Sequence, residues 1–105
     1  MSAFRLPAIG VLLCSLGAVS AHAETITVTI EKMAFSPMEI TARAGDTIEW
    51  VNKDAFAHTA TLKGGREVML PVGKTGSITV DAAGAVDYFC RFHPNMKGRI
   101  TVTSH

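Results

Sequence analysis

The sequence predicts an all-β domain, an antiparallel β-sandwich of seven or eight short strands. Three observations predict it. Several runs alternate apolar and polar side chains, as in Thr25-Ile26-Thr27-Val28-Thr29-Ile30-Glu31, the pattern of a half-buried strand. Turn-forming stretches such as Ala44-Gly45-Asp46, Gly64-Gly65 and Asp81-Ala82-Ala83-Gly84 separate those runs at short intervals. Helical periodicity of useful length, internal repeats and low-complexity tracts are all missing from the sequence. Two packed sheets are the arrangement that buries such one-sided strands.

The chain opens with a stretch expected to be removed. Arg5 supplies a positive start, Leu6 to Ser20 is mostly apolar, and Ala21-His22-Ala23 is a small-x-small cleavage site. Residues 1–23 are therefore expected to be a secretory signal peptide, too short and wrongly flanked for a membrane span. Leu13 stands before Cys14 where lipid attachment needs a small residue. Residues 24–105 form the mature domain, about 82 residues, enough for one modest core.

Removing the leader takes away one basic side chain, Arg5, so the formal net charge falls from +1 to zero. Nothing in that balance points to nucleic acid or to an anionic membrane. Cys14 also leaves, and Cys90 remains as the single thiol. A lone cysteine cannot make an internal disulfide, and a free thiol is vulnerable in an oxidising compartment. Metal ligation would occupy that sulfur.

Thr25 to Glu31 is the first strand, with Ile26, Val28 and Ile30 facing inward, and Met33-Ala34-Phe35-Ser36-Pro37 breaks it. Met38 to Ala42 is the second. Thr47 to Asn52 is the third, placing Ile48 and Trp50 on one face, and Trp50 is expected in the core. Lys53 to Ala57 is a loop leading to His58, and Thr59 to Leu62 is a short strand. Arg66 to Gly73 alternates at Val68, Leu70 and Val72, but Pro71 confines it to an edge strand or a loop. Thr75 to Val80 and Ala85 to Cys90 are strands, the latter with Val86, Tyr88 and Cys90 on one face; Arg99 to Thr103 closes the domain.

The chemistry concentrates in Tyr88-Phe89-Cys90-Arg91-Phe92-His93-Pro94-Asn95-Met96-Lys97-Gly98. A thiol, an imidazole and a thioether follow one another with two residues between each pair. Thiolate and thioether favour soft metals, and one Cys with two His and a weak axial Met is the donor set of blue copper. Extended, Cys90 and His93 would stand roughly 10 Å apart, whereas donors to one ion lie within about 4–5 Å of each other. The chain must turn back after Cys90. Pro94 suits such a turn, and Gly98 is expected to supply a positive φ on the way out. Of the other histidines, His105 is terminal, so His58 is the partner that completes the set. Met96 takes the axial place, while Met33, Met38 and Met69 are expected to pack in the core or at its rim, as flexible apolar filler.

On these residues the sequence resembles the cupredoxins, the blue copper family. The resemblance rests on Met33 to Pro37, Gly45 to Asp54, His58-Thr59 and the Tyr88–Gly98 segment, and covers nearly the whole mature chain. The Cys-x2-His-x2-Met spacing is the short loop of amicyanin-type members. The resemblance implies a Greek-key sandwich, one copper ion cycling between Cu(I) and Cu(II), and ligation by His58, Cys90, His93 and Met96. It also implies a Thr59 N–H donated to the Cys90 sulfur. Members often carry Asn after the first His and Pro before the second; here those residues are Thr59 and Phe92.

The implied activity is one-electron transport in the periplasm, not enzymatic catalysis. Expected partners are redox proteins, such as a dehydrogenase or a c-type cytochrome, met by a monomer with no membrane span. Phe92, Pro94, Met96, Phe56 and Met69 are expected to form an apolar rim around an exposed edge of His93. A copper chaperone or tolerance protein would use the same ligands. Zinc fits less well, because Met is a poor ligand for it. A Cys–His nucleophile would need an orienting third group and an oxyanion site, and no motif supplies either.

Overall fold

The computed structural model describes residues 22–104; the expected leader falls, all but its last two residues, outside them. Nine strands follow in order: β1 (Thr25–Glu31), β2 (Ala34–Ser36), β3 (Glu39–Arg43), β4 (Thr47–Asn52), β5 (His58–Leu62), β6 (Glu67–Leu70), β7 (Thr75–Thr79), β8 (Gly84–Cys90) and β9 (His93–Thr103). They form a four-stranded sheet, β2-β1-β4-β7, and a five-stranded sheet, β3-β9-β8-β5-β6. The chain passes repeatedly from one sheet to the other, in Greek-key fashion.

Two features differ from the sequence reading. The sheets are mixed: β1 runs parallel to β4 and β3 parallel to β9, while the other pairs are antiparallel. The cause is the crossing itself. After β1 and β2 the chain enters the other sheet as β3, so β4 returns beside β1 in the same direction. The second difference is β2, where the sequence showed only a break. Glu31 pairs with Ala34, leaving Lys32 and Met33 as a two-residue turn with φ of 53° and 60°. Two positive φ values are what a twisted hairpin turn demands, and Gly or Asn usually supplies them. Here the Asp54 carboxylate accepts the N–H groups of Lys32 and Met33 at 2.8 and 3.0 Å.

The core lies between the sheets. Val28, Ile30, Ile48 and Trp50 face Leu70, Tyr88, Cys90 and Ile100, all essentially inaccessible. Tyr88 joins the layers, its ring edge-on to Phe35 at 4.7 Å and to Trp50 at 5.3 Å. Gly98 lies opposite Tyr88 in the β8–β9 register. A β-carbon there would come within 2.4 Å of the Tyr88 ring. The small residue is thus required by close approach, and Gly98 is not among the residues with positive φ, contrary to expectation.

Candidate metal centre

The site forms at one end of the sandwich, where β4 and β8 finish and β5 and β9 start. β8 and β9 make a tight hairpin: Cys90 pairs with His93, and Arg91 and Phe92 are the turn. The next pair is Phe89 with Lys97. Pro94, Asn95 and Met96 are therefore extra residues on β9, a bulge that Pro94 tolerates because no ladder N–H is required there. The hairpin turns the chain back and sets Cys90 and His93 side by side.

His58 opens β5 opposite Leu70 on β6. The preceding loop is fixed by the buried Asn52, whose side-chain amide donates to the carbonyls of Phe56 at 2.8 Å and Leu70 at 2.9 Å. Its carbonyl oxygen accepts the Asp54 N–H at 2.9 Å. Asp54 in turn reaches His58, with 2.8 Å between Oδ2 and Nε2. Burial pushes the Asp54 carboxyl up, but the Met33 N–H, the His58 ring and the Lys32 N–H outweigh it and hold it below the usual value. A carboxylate there accepts a hydrogen bond from Nε2–H, which keeps the ring proton on Nε2 and leaves Nδ1 bare as a donor atom.

That Nδ1 lies 3.6 Å from Cys90 Sγ, and His93 Nδ1 lies 3.6 Å from the same sulfur. The three donor atoms lie within 4.8 Å of one another. Two bonds of about 2.1 Å meeting at a trigonal angle put their donors about 3.6 Å apart. The arrangement therefore fits one ion held in a trigonal plane. Thr59 N–H donates to Cys90 Sγ at 3.4 Å.

His58, Cys90 and Met96 are buried and His93 is half-buried. Met96 is 3% exposed, so it leaves the expected outer rim and packs into the core. Phe56, Met69 and Phe92 are exposed, at 58%, 49% and 45%. The Phe56 ring is edge-on to His93 at 6.3 Å. Met33 and Met38 are exposed, and Met33 lines a shallow surface pocket with Phe92 and His93. The sequence reading missed Asn52 and Asp54. The only trace they leave is a polar pair closing a strand four residues before a histidine.

A family model described as a cupredoxin-like domain matches residues 5–102. The amicyanin of Paracoccus versutus is 35% identical over 94 residues, 83% of this chain and 71% of that protein. The plastocyanin of Scenedesmus fuscus is 32% identical over 85 residues, 67% of this chain and 87% of that protein. The crystal structure of the Paracoccus versutus amicyanin superposes with a TM-score of 0.67 at 38% identity, covering 82% of this chain and 86% of that one. An amicyanin variant solved in its reduced Cu(I) form at pH 4 superposes with a TM-score of 0.68 at 32% identity, covering 81% and 87%. Sequence, sheet order and the clustered donors agree: the chain belongs to the cupredoxin-like family.

Proposed function

We propose that this chain is a periplasmic blue copper protein that carries single electrons between redox partners. The observation that carries the reading is the placement of the His58 and His93 nitrogens, each 3.6 Å from the Cys90 sulfur. His58, Cys90, His93 and Met96 would hold one copper ion. Copper supplies the one-electron Cu(I)/Cu(II) couple. The chain supplies rigidity and tuning. Asp54 fixes the His58 ring, and the Thr59 N–H withdraws charge from the thiolate. Four protein ligands leave no open position for a substrate, which favours a carrier over an enzyme.

His93 is the ligand nearest solvent, with the exposed Phe56 ring edge-on to it at 6.3 Å and the exposed Phe92 lining the same shallow surface pocket. Such a patch suits small, brief interfaces with a redox protein such as a dehydrogenase or a c-type cytochrome. Among the described residues no helix is long and apolar enough to cross a membrane. The leader expected over residues 1–23 directs the chain to the periplasm.

The visible spectrum of the purified protein with Cu(II) tests the site. An intense thiolate-to-copper band is expected, lost in Cys90→Ser, together with a fast reversible couple in voltammetry. A colourless copper adduct would sink the reading. Intact transfer of copper to an apo-acceptor, with no reversible couple, would favour a chaperone instead.

A further inference from the structure

β5 and β8 do not stay paired up to the metal end. Their register is Leu62 with Tyr88 and Thr61 with Phe89, and it stops there. An unbroken antiparallel ladder would continue to Cys90 and Arg91. Side chains hold the strands instead. Thr59 N–H donates to Cys90 Sγ, and Arg91 N–H donates to the buried Thr59 hydroxyl at 2.8 Å. Thr59 thus joins β5 to the ligand turn through both its backbone N–H and its hydroxyl.

The link does not end at Thr59. Thr59 and Thr61 lie two apart on β5 and share a face, and Thr61 is directly opposite Glu67 on β6. The hydroxyls of Thr59 and Thr61 are 2.8 Å apart, and Thr61 Oγ1 is 2.6 Å from Glu67 Oε1. Chemistry orients every proton. A carboxylate only accepts, so Thr61 donates to Glu67 and must accept from Thr59. Thr59 is then free to accept from Arg91. The circuit closes on the residue where it began: the Arg91 guanidinium donates through Nε and Nη2 to the two oxygens of Glu67, each at 2.9 Å. Arg91 is the first residue of the turn between Cys90 and His93.

We propose that Thr59, Thr61 and Glu67 are positioning residues for the metal centre, a hydrogen-bonded circuit through which edge strand β6 clamps the ligand turn onto β5. The inference rests on the copper reading of the site. Each bond polarises the next, so cutting the circuit far from the metal weakens the contact beside it. The clamp sets how closely the Thr59 N–H approaches the thiolate, and loosening it returns charge to the sulfur and lowers the reduction potential.

Thr61→Val keeps the shape and the Glu67–Arg91 pair but removes the relay. We expect its Arg91 amide to exchange with solvent roughly fivefold faster than in the wild type, with a lower potential in the copper form. Thr59→Val should act more strongly, about tenfold or beyond, because a backbone donor loses its only side-chain acceptor. Thr61→Ser restores the wild-type values. Glu67→Ala should speed the same amide, whereas Asp87→Ala, which breaks the comparable Arg99 pair on the same hairpin, should not. Unchanged Arg91 exchange and potential in Thr61→Val, or an equal response in Asp87→Ala, would overturn the proposal. Wild-type protein that takes up no Cu(II) would overturn the copper reading instead. Exchange in the metal-free protein still decides the circuit in that case.

Discussion

At His58 the ring nitrogen turned away from the sulfur matters as much as the one facing it. Asp54 accepts Nε2–H at 2.8 Å and also carries the Lys32–Met33 turn. Asp54→Ala leaves the ring free to change tautomer and to rotate. Outer partners of metal-bound histidines are commonly worth about 10–100-fold in affinity, and a loss in that range is expected in competition with a copper chelator. Wild-type affinity would show that the loop alone orients the ring. A second residue-scale test concerns Glu67. The Arg91 guanidinium, helped by the Thr61 hydroxyl, holds its carboxyl near 2, down from 4.5. Its contribution to stability is therefore complete above the ordinary value and lost as pH falls from 4.5 towards 2. Arg91→Gln should return the Glu67 midpoint most of the way to 4.5, followed by the carboxyl carbon resonance.

Among the elements, β8 and β9 carry the tightest constraint. Gly98→Ala would drive a methyl group into the Tyr88 ring, which is packed between Phe35 and Trp50 and cannot step aside. Overpacking of this kind costs about 1–3 kcal/mol, and the denaturation midpoint of the metal-free variant should fall accordingly. Gly98 also shows what the sequence could convey. A positive φ was expected of it, whereas smallness is what the fold demands, because Tyr88 reaches it across a strand pairing. β1 and β4 were legible from local alternation, and the approach of Cys90 to His93 from their spacing. β2 was not, since Lys32 and Met33 lack the usual turn chemistry and lean on a carboxylate more than twenty residues away. Asn52, Asp54 and the hydroxyl of Thr59 escaped for the same reason: each acts on a backbone group brought near only by the fold. Met96 was singled out by spacing and also expected at the rim, and its inward packing depends on the bulge that precedes Lys97.

Over the whole molecule, the metal and the core support each other. The folded chain presents three preformed donors, and the unfolded chain does not, so copper stabilises by mass action. Free copper at one hundred times its dissociation constant contributes about 2.7 kcal/mol. The loaded protein should melt roughly 10–20 °C above the metal-free form, measured by calorimetry at fixed free copper. A difference near zero would mean that the donors converge only weakly in the fold.

Alkaline pH probes the same core from its centre. Tyr88 is the only tyrosine, so tyrosinate absorbance reports it alone. Burial pushes its phenol from 10.0 up to about 12. Below pH 10 the phenol is protonated whether the chain is folded or not, and its titration has no effect on stability. As pH rises from 10 towards 12 the unfolded chain releases the proton and the folded chain keeps it, so stability falls through that window. The lysines titrate nearby, and the Tyr88→Phe variant separates them: its stability should decline less steeply above pH 10, by about 2 kcal/mol in total. In the folded wild type the absorbance change should come late and together with unfolding. An ordinary midpoint near 10, with the fold intact, would mean that water reaches the phenol between the sheets. The tight packing of Phe35, Trp50 and Tyr88 beneath Cys90 would then be wrong.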